Sequence, residues 1–229
     1  MRIDIQYNPA HSLATVHLEA GESIRAESSA MVAMSKDIQV QTNAAHKAGG
    51  GFLGGLKRAV LGGESFFQNL YTATRSGQSV SLAPKLCGSM VSHQLTSDHE
   101  LFIQGSSYVA APDSVTIDTK FQGFKGFLSG ESLFFLKASG NGPVLLNAFG
   151  AIEERTLDGE LILDTGHLVA FTSGIEYTIS KASEGWIASF LSGEGLVLRL
   201  KGRGKVWIQS RNPGEYGTTV GRLLPPREN

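Results

Sequence analysis

Short runs of alternating apolar and polar residues recur along this chain, each set off by turn-forming residues. "DIQVQT" (37–42), "SVTIDT" (114–119) and "GIEYTIS" (174–180) put every second side chain on one face, the period of a half-buried strand. "PVLLNAFG" and "KVWIQS" are more continuously apolar and read as deeper strands. The 28 glycines fall between such runs, and many short strands punctuated in this way predict an all-β sandwich or barrel.

The alternating strands also line up with one another. Ile38, Val115 and Ile175 are the first inward residues of the three, and five positions upstream of each lie Ala33, Ala110 and Ala170. An apolar residue precedes each alanine: Val32, Val109 and Val169. Downstream come three Gly-Glu pairs, Gly63-Glu64, Gly130-Glu131 and Gly193-Glu194, in "LGGESFF", "LSGESLFF" and "LSGEGLVL". A glycine then precedes a further strand each time, in "SGQSVSLA", "GNGPVLLNA" and "GRGKVWIQ". Four landmarks in one order, three times over, predict an internally repeated fold of β-sandwich or double-stranded β-helix type. It would comprise three β units with pseudo-threefold symmetry, about 20–90, 95–150 and 155–211, packed on one another in a single domain over 1–229. Residues 212–229 read as a C-terminal tail.

The first unit carries extra chain, "NAAHKAGGGFLGGLKRAVLGG". Helical spacing gathers Phe52, Leu53, Leu56, Ala59 and Val60 on one face and leaves Lys57 and Arg58 elsewhere, predicting one short amphipathic helix near 52–61. Such a helix packs inside the protein or a subunit contact; the other reading is a surface for a membrane or a protein partner, with the two cations at acidic head groups.

Charge and cysteine content narrow the function classes. Lysine plus arginine total 20 against 21 acids, a net charge of −1, so composition offers no basic stripe for a nucleic-acid backbone. Cys87 is the only cysteine, which excludes an intrachain disulfide and a CxxC site. It reads as a small buried or interface residue. No run approaches the roughly 20 apolar residues of a spanning helix. The N-terminal stretch has neither the apolar core of a signal peptide nor the Arg-rich, acid-poor character of a transit peptide, so the expectation is a cytoplasmic protein.

Candidate chemistry is sparse. Glu64, Glu131 and Glu194 each follow a glycine that permits a tight bend, and a carboxylate there accepts backbone N–H bonds or pairs with a base. If the pseudosymmetry brought them to one axis, they would form an oxygen-rich cation site. The six histidines form no HxH, HxxxH or HExxH pattern, and the one cluster of histidine with acids, His93, Asp98, His99 and Glu100, reads as a solvated turn. "DTGHLVAF" lacks a second matching carboxylate loop, which makes Asp164 a turn residue before a strand. "GGGFLGG" lacks the Gly-Lys-Ser/Thr ending of a phosphate loop. The nearest thing to a nucleic-acid face is "LRLKGRGKVWIQSR", with Arg199, Lys201, Arg203, Lys205 and Arg211 around Trp207. The same alternation describes an ordinary hairpin with Leu198, Leu200, Val206 and Ile208 inside. These residues call for no catalytic group, no metal and no cofactor.

Taken together, "GGGFLGGLKRAVLGGESFF", "LSGESLFFLKASGNGPVLLNAFG", "LDTGHLVAF" and "FLSGEGLVLRLKGRGKVWIQSR" resemble the altered-inheritance-of-mitochondria family, the mitochondrial biogenesis proteins with bacterial and archaeal relatives. The resemblance runs from about residue 20 to 211. It implies a duplicated β fold related to that of the tryptophan-activated RNA-binding attenuation protein, and a homo-oligomer with a trimer favoured. It carries no catalytic residues over. Eukaryotic relatives bear targeting segments, and the N-terminal stretch points instead to a prokaryotic member. The expectation is a non-catalytic oligomeric scaffold or interaction protein that acts in the cytoplasm or at a membrane surface; the alternative is a binding module for a small ligand, cation or RNA.

Overall fold

The computed structural model describes residues 1–44, 67–118, 134–181 and 196–225. The three Gly-Glu pairs (Gly63-Glu64, Gly130-Glu131, Gly193-Glu194) and the 52–61 stretch, where bends and a helix are expected, lie outside the described residues.

Alternation in the sequence becomes alternation in burial. After β1 (Arg2–Gln6) comes a first set of strands: β2 (Leu13–Leu18), β3 (Ser23–Glu27), β4 (Met31–Met34), β5 (Gln39–Ala44), β6 (Phe67–Thr72) and β7 (Gln78–Leu82). A second set follows: β8 (Met90–Leu95), β9 (Leu101–Gln104), β10 (Tyr108–Pro112), β11 (Val115–Asp118), β12 (Phe135–Gly140) and β13 (Gly142–Asn147). The third set is β14 (Ile152–Asp164), β15 (Leu168–Thr172), β16 (Ile175–Lys181) and β17 (Leu196–Gln209). In β2, for example, Ala14, Val16 and Leu18 are buried while Leu13, Thr15 and His17 are half-buried. Ile38, Val115 and Ile175 are all buried, at 7%, 1% and 6% exposure.

One pairing scheme is repeated three times. In the first set β2 and β4 flank β7, while β3 and β5 flank β6. In the second, β8 and β10 flank β13, while β9 and β11 flank β12. In the third, the 13-residue β14 and 14-residue β17 each do the work of two strands, so β17 takes β14, β15 and β16. Each set has a register shift at the same place: between Met31 and Ala33, Tyr108 and Ala110, and Leu168 and Ala170. The bulged residues are Val32, Val109 and Val169, so the Val-Ala landmark of the sequence is a β-bulge. The all-β, internally repeated architecture is therefore present in the hydrogen-bond ladder itself.

Antiparallel pairing also joins one set to the next. β10 lies along β3 with Ala110 opposite Ala26, Ala111 opposite Arg25 and Pro112 opposite Ile24. β15 lies along β9 with Ala170 opposite Ile103, Phe171 opposite Phe102 and Thr172 opposite Leu101. The resulting sheets run β1-β2-β7-β4, β5-β6-β3-β10-β13-β8, and β11-β12-β9-β15-β17-β14 with β16 on β17.

The cores straddle these joins. Val109, Ala110 and Leu145 of the second set pack with Val16, Ile24, Tyr71, Val80 and Leu82 of the first. Val169, Ala170 and Trp207 of the third pack with Leu101, Ile103, Leu136 and Val144 of the second. A third cluster holds Leu157, Phe171, Leu198, Leu200 and Val206 with Phe135, and among the described residues it has no member from the first set.

The C-terminal stretch read as a tail in the sequence contains a helix. Pro213–Gly221 forms helix α1, because Asn212 Oδ1 accepts from the N–H groups of Gly214 and Glu215 and Pro213 opens the first turn. Tyr216 anchors it edge-on to Phe149, with ring centroids 5.1 Å apart. A weak amphipathic pattern with three glycines near by hid this helix from a periodicity argument.

Candidate functional site: the open ends of the repeat

Strand β4 is exposed along its whole length, with Met31 at 39%, Val32 at 58% and Met34 at 43%. Its counterparts are not: Tyr108, Val109, Ala110, Leu168, Val169 and Ala170 are each at most 1% exposed. The sequences "MVAM", "YVAAP" and "LVAFT" hardly differ in apolar content, so composition is not the cause. The neighbour is. β10 is covered by β3 and β15 by β9, whereas β4 is the last strand of its sheet.

The complementary edge is open too. Among the described residues β14 is the last strand of its sheet, and its Glu160–Asp164 half is paired with Val197–Lys201 on one side only. Shared register makes Leu161, Ile162 and Leu163 the counterparts of Ile24, Arg25 and Ala26 in β3 and of Leu101, Phe102 and Ile103 in β9. Leu101 and Ile103 are fully buried where Leu161 and Leu163 are only partly so, and Ile162 is 39% exposed where Phe102 is half-buried.

A second observation points to the same gap. Gly88 bridges in parallel to His11 on one side and to Gly150 on the other, and each of these residues stands just before the first strand of its set. Ser12 N–H donates to the Gly88 carbonyl at 3.4 Å, and Ser89 N–H to that of Gly150 at 2.8 Å. The corresponding N–H of Ala151 turns instead to Ser210 Oγ, at 2.9 Å. Two steps of a threefold arrangement are made, and the third is capped by a side chain.

A cavity of about 450 Å³ lies near the turns, lined among others by Glu27, Lys85, Ser106, Phe134, Asn147, Phe149 and Gln209. Its polar walls are already engaged. Lys85 Nζ donates to Glu27 Oε1 at 2.6 Å, and Gln209 spans from the Phe149 N–H (2.9 Å) to the Gly166 carbonyl (2.8 Å). The Asn147 amide, oriented to satisfy its surroundings, donates to the Ser106 and Ser107 carbonyls.

The basic hairpin is charge-balanced by β14. Trp207 is 1% exposed and its Nε1–H donates to Glu154 Oε2 at 3.1 Å. Lys205 pairs with Glu154 at 2.6 Å, Arg203 with Asp158 at 2.9 Å, and Arg199 with Glu160. Lys201 sits between Glu160 and Glu176 in the ladder, and Arg211 N–H donates to the Phe149 carbonyl. No base can stack on a buried indole.

The histidine and acid cluster is spread out rather than gathered. His93 packs edge-on to Trp207 at 4.7 Å; His99 pairs with Asp98 at 3.2 Å; Glu100 accepts from Lys137 at 2.8 Å. Burial first, and then the Lys205 ammonium, hold the His93 pKa below its ordinary value against the pull of Glu154. Among the described residues no group of three or more His, Cys, Asp or Glu could hold a metal ion. Asp164 is the turn residue expected of it, its Oδ1 accepting from Gly166 N–H at 2.8 Å. Cys87 is exposed rather than buried; it lies in the link from β7 to β8, where its carbonyl accepts from Gly150 N–H at 3.0 Å.

Residues 3–211 match the family described as Mitochondrial biogenesis AIM24. The chain belongs to this family. An uncharacterized protein of Streptococcus pyogenes serotype M6 is 28% identical over all of this chain and 93% of its own length. The crystal structure of a Streptococcus pyogenes protein superposes with a TM-score of 0.77 at 28% identity, covering 97% of this chain and 99% of that one. The family resemblance read from the four ordered segments is thus confirmed, and the match extends it to residues 3–211. Among the described residues no helix is long and apolar enough to cross a membrane.

Proposed function

We propose that this family member is a non-catalytic interaction protein that works by self-assembly, its repeat being left open so that copies join. The observation that carries this reading is the contrast at one repeated position: Val32 is 58% exposed where Val109 and Val169 are 1% and 0%. Burying a valine contributes about 1.5–2 kcal/mol, and an uncovered edge strand with free N–H and C=O groups is a template for pairing. A homo-oligomer, with a trimer as the favoured ring, satisfies both. Light scattering across a concentration series should give a mass that is a small multiple of 24.4 kDa. A monomer at every concentration overturns the reading.

A second reading, a module for a small ligand, is favoured by the 450 Å³ cavity. It expects a melting-temperature rise with a metabolite or cation, and the rise should vanish in Lys85→Ala.

A further inference from the structure

The exposed β4 strand and the exposed half of β14 are the two unmatched halves of a join that this chain makes twice inside itself. At each internal join, a bulged strand (β10 or β15) lies antiparallel to the strand preceding the turn in the adjacent set (β3 or β9). The bulged strand at the open end is β4, and the strand that precedes the turn at the other end is β14. Resting on the self-assembly reading, we infer that copies of this chain join head to tail through β4 of one and the Glu160–Asp164 half of β14 of the next. The internal joins fix the register: Ala33 opposite Leu163, Met34 opposite Ile162, and Ser35 opposite Leu161.

Three features of the two edges suit this pairing. First, the backbone groups are on the correct side. Ser35 N–H is used toward β7, donating to Ser79 O at 2.9 Å, so strand alternation turns the N–H of Met34 to the open side. Met34 is the counterpart of Ala111 and Phe171, which face Arg25 and Phe102 across the internal joins. Second, among the described residues the core that would receive Val32 has no cover from the first set. Val109 and Val169 insert into the core of the preceding set, whereas the core of the third set receives nothing from the first and leaves Leu161, Leu163, Tyr177 and Ile179 partly buried. Third, the contact is built to be weaker than its internal templates. Ser81 stands opposite Ala33 where Leu145 and Trp207 stand opposite Ala110 and Ala170, and its Oγ lies 3.3 Å from Thr15 Oγ1. A polar residue at the centre of the patch gives a dissociable interface in place of a permanent one. The two surfaces differ, so the contact is heterologous: it closes a ring if the rotation allows and otherwise grows a filament.

The test uses the full chain in a Cys87→Ser background, since Cys87 is exposed. Mixing an Ala33→Cys protein with a Leu163→Cys protein should give a covalent dimer with a short thiol cross-linker, and neither protein alone should. Met34→Lys and Ile162→Lys, both at exposed positions, should each weaken association about tenfold or more, as a charge on a sheet edge does. Met34→Lys combined with Ile162→Glu should restore it to within a few-fold, because directly opposite charges attract. A wild-type monomer at all concentrations overturns both this interface and self-assembly. An oligomer that neither cross-links nor responds to the lysines overturns this interface and leaves self-assembly standing. A cross-link formed inside a single Ala33→Cys/Leu163→Cys chain overturns it as well, since the two edges would then close on each other.

Discussion

Gly88 sits directly against the backbone of Gly150, so closely that a Cβ on Gly88 would lie 1.9 Å from the Ala148 carbonyl oxygen and 2.7 Å from Gly150 N. Hydrogen bonds lock the crossing from both sides, through Ser89 N–H to Gly150 O and Gly150 N–H to Cys87 O. The obstructing atoms are backbone, so no rotamer change makes room. Gly88→Ala should destabilise the protein by about 3 kcal/mol or more, read as a fall in denaturant midpoint at unchanged slope. Gly77→Ala, which has open space but a φ of +79°, should cost only about 1 kcal/mol.

The join between the first two sets contains a polar network that is buried at Arg25 and Tyr108 and open to water at Asp113. Arg25, 7% exposed, pairs with Asp113, and its carbonyl accepts from the Tyr108 hydroxyl at 3.0 Å. Tyr108 is fully buried, and burial pushes its pKa well above the ordinary phenol value. Tyr108→Phe should cost about 1–2 kcal/mol by leaving a buried carbonyl short of a donor. Asp113→Ala should cost only about 1 kcal/mol, because the Asp113 carboxylate is 52% exposed and water can take its place beside the guanidinium. Equal, negligible effects in thermal denaturation would show that water replaces both partners.

Much of this was legible in the sequence because strands announce themselves by period. Ile38, Val115 and Ile175 were identifiable as inward residues from alternation alone, and Val-Ala before each marked the bulge. The open ends were not legible. Val32 looks like Val109 and Val169 until the pairing partner of each strand is known, and that partner is a non-local property. Trp207 shows the same limit. Its basic neighbours left a nucleic-acid face and an ordinary hairpin both open, because the acids that balance them lie on β14, 39 positions upstream for Glu160 and 45 for Asp158, and meet them only in the folded ladder.

His93 gives the fold an acid sensitivity of predictable sign. Its pKa is held down by burial against Trp207 and by Lys205, so the folded state favours the neutral imidazole. The unfolded chain, titrating at about 6.5, binds more protons between that value and the lowered one. Stability from this residue is complete above about pH 6.5 and declines as the pH falls through that window. Melting temperature should therefore drop from pH 7 toward pH 5, and His93→Gln should make the drop shallower. An unchanged slope would assign the acid sensitivity to other groups.

Asn212 and Gly166 share a single piece of space, and that makes a sharper test of how α1 is held. The Asn212 side chain caps α1 through Gly214 and Glu215 and rests on the turn before β15, where a Cβ on Gly166 would come within 2.2 Å of its Nδ2. The obstructing atoms are the end of a movable side chain, so Gly166→Ala should displace the cap and leave the turn in place. Asn212→Ala removes the same cap directly. Each substitution should cost about 1 kcal/mol with a small loss of helical circular dichroism, and the double variant should cost scarcely more than either, giving a coupling of about 1 kcal/mol. Additive costs would mean that Gly166 is needed for the turn itself, and that α1 is held chiefly by the contact of Tyr216 with Phe149.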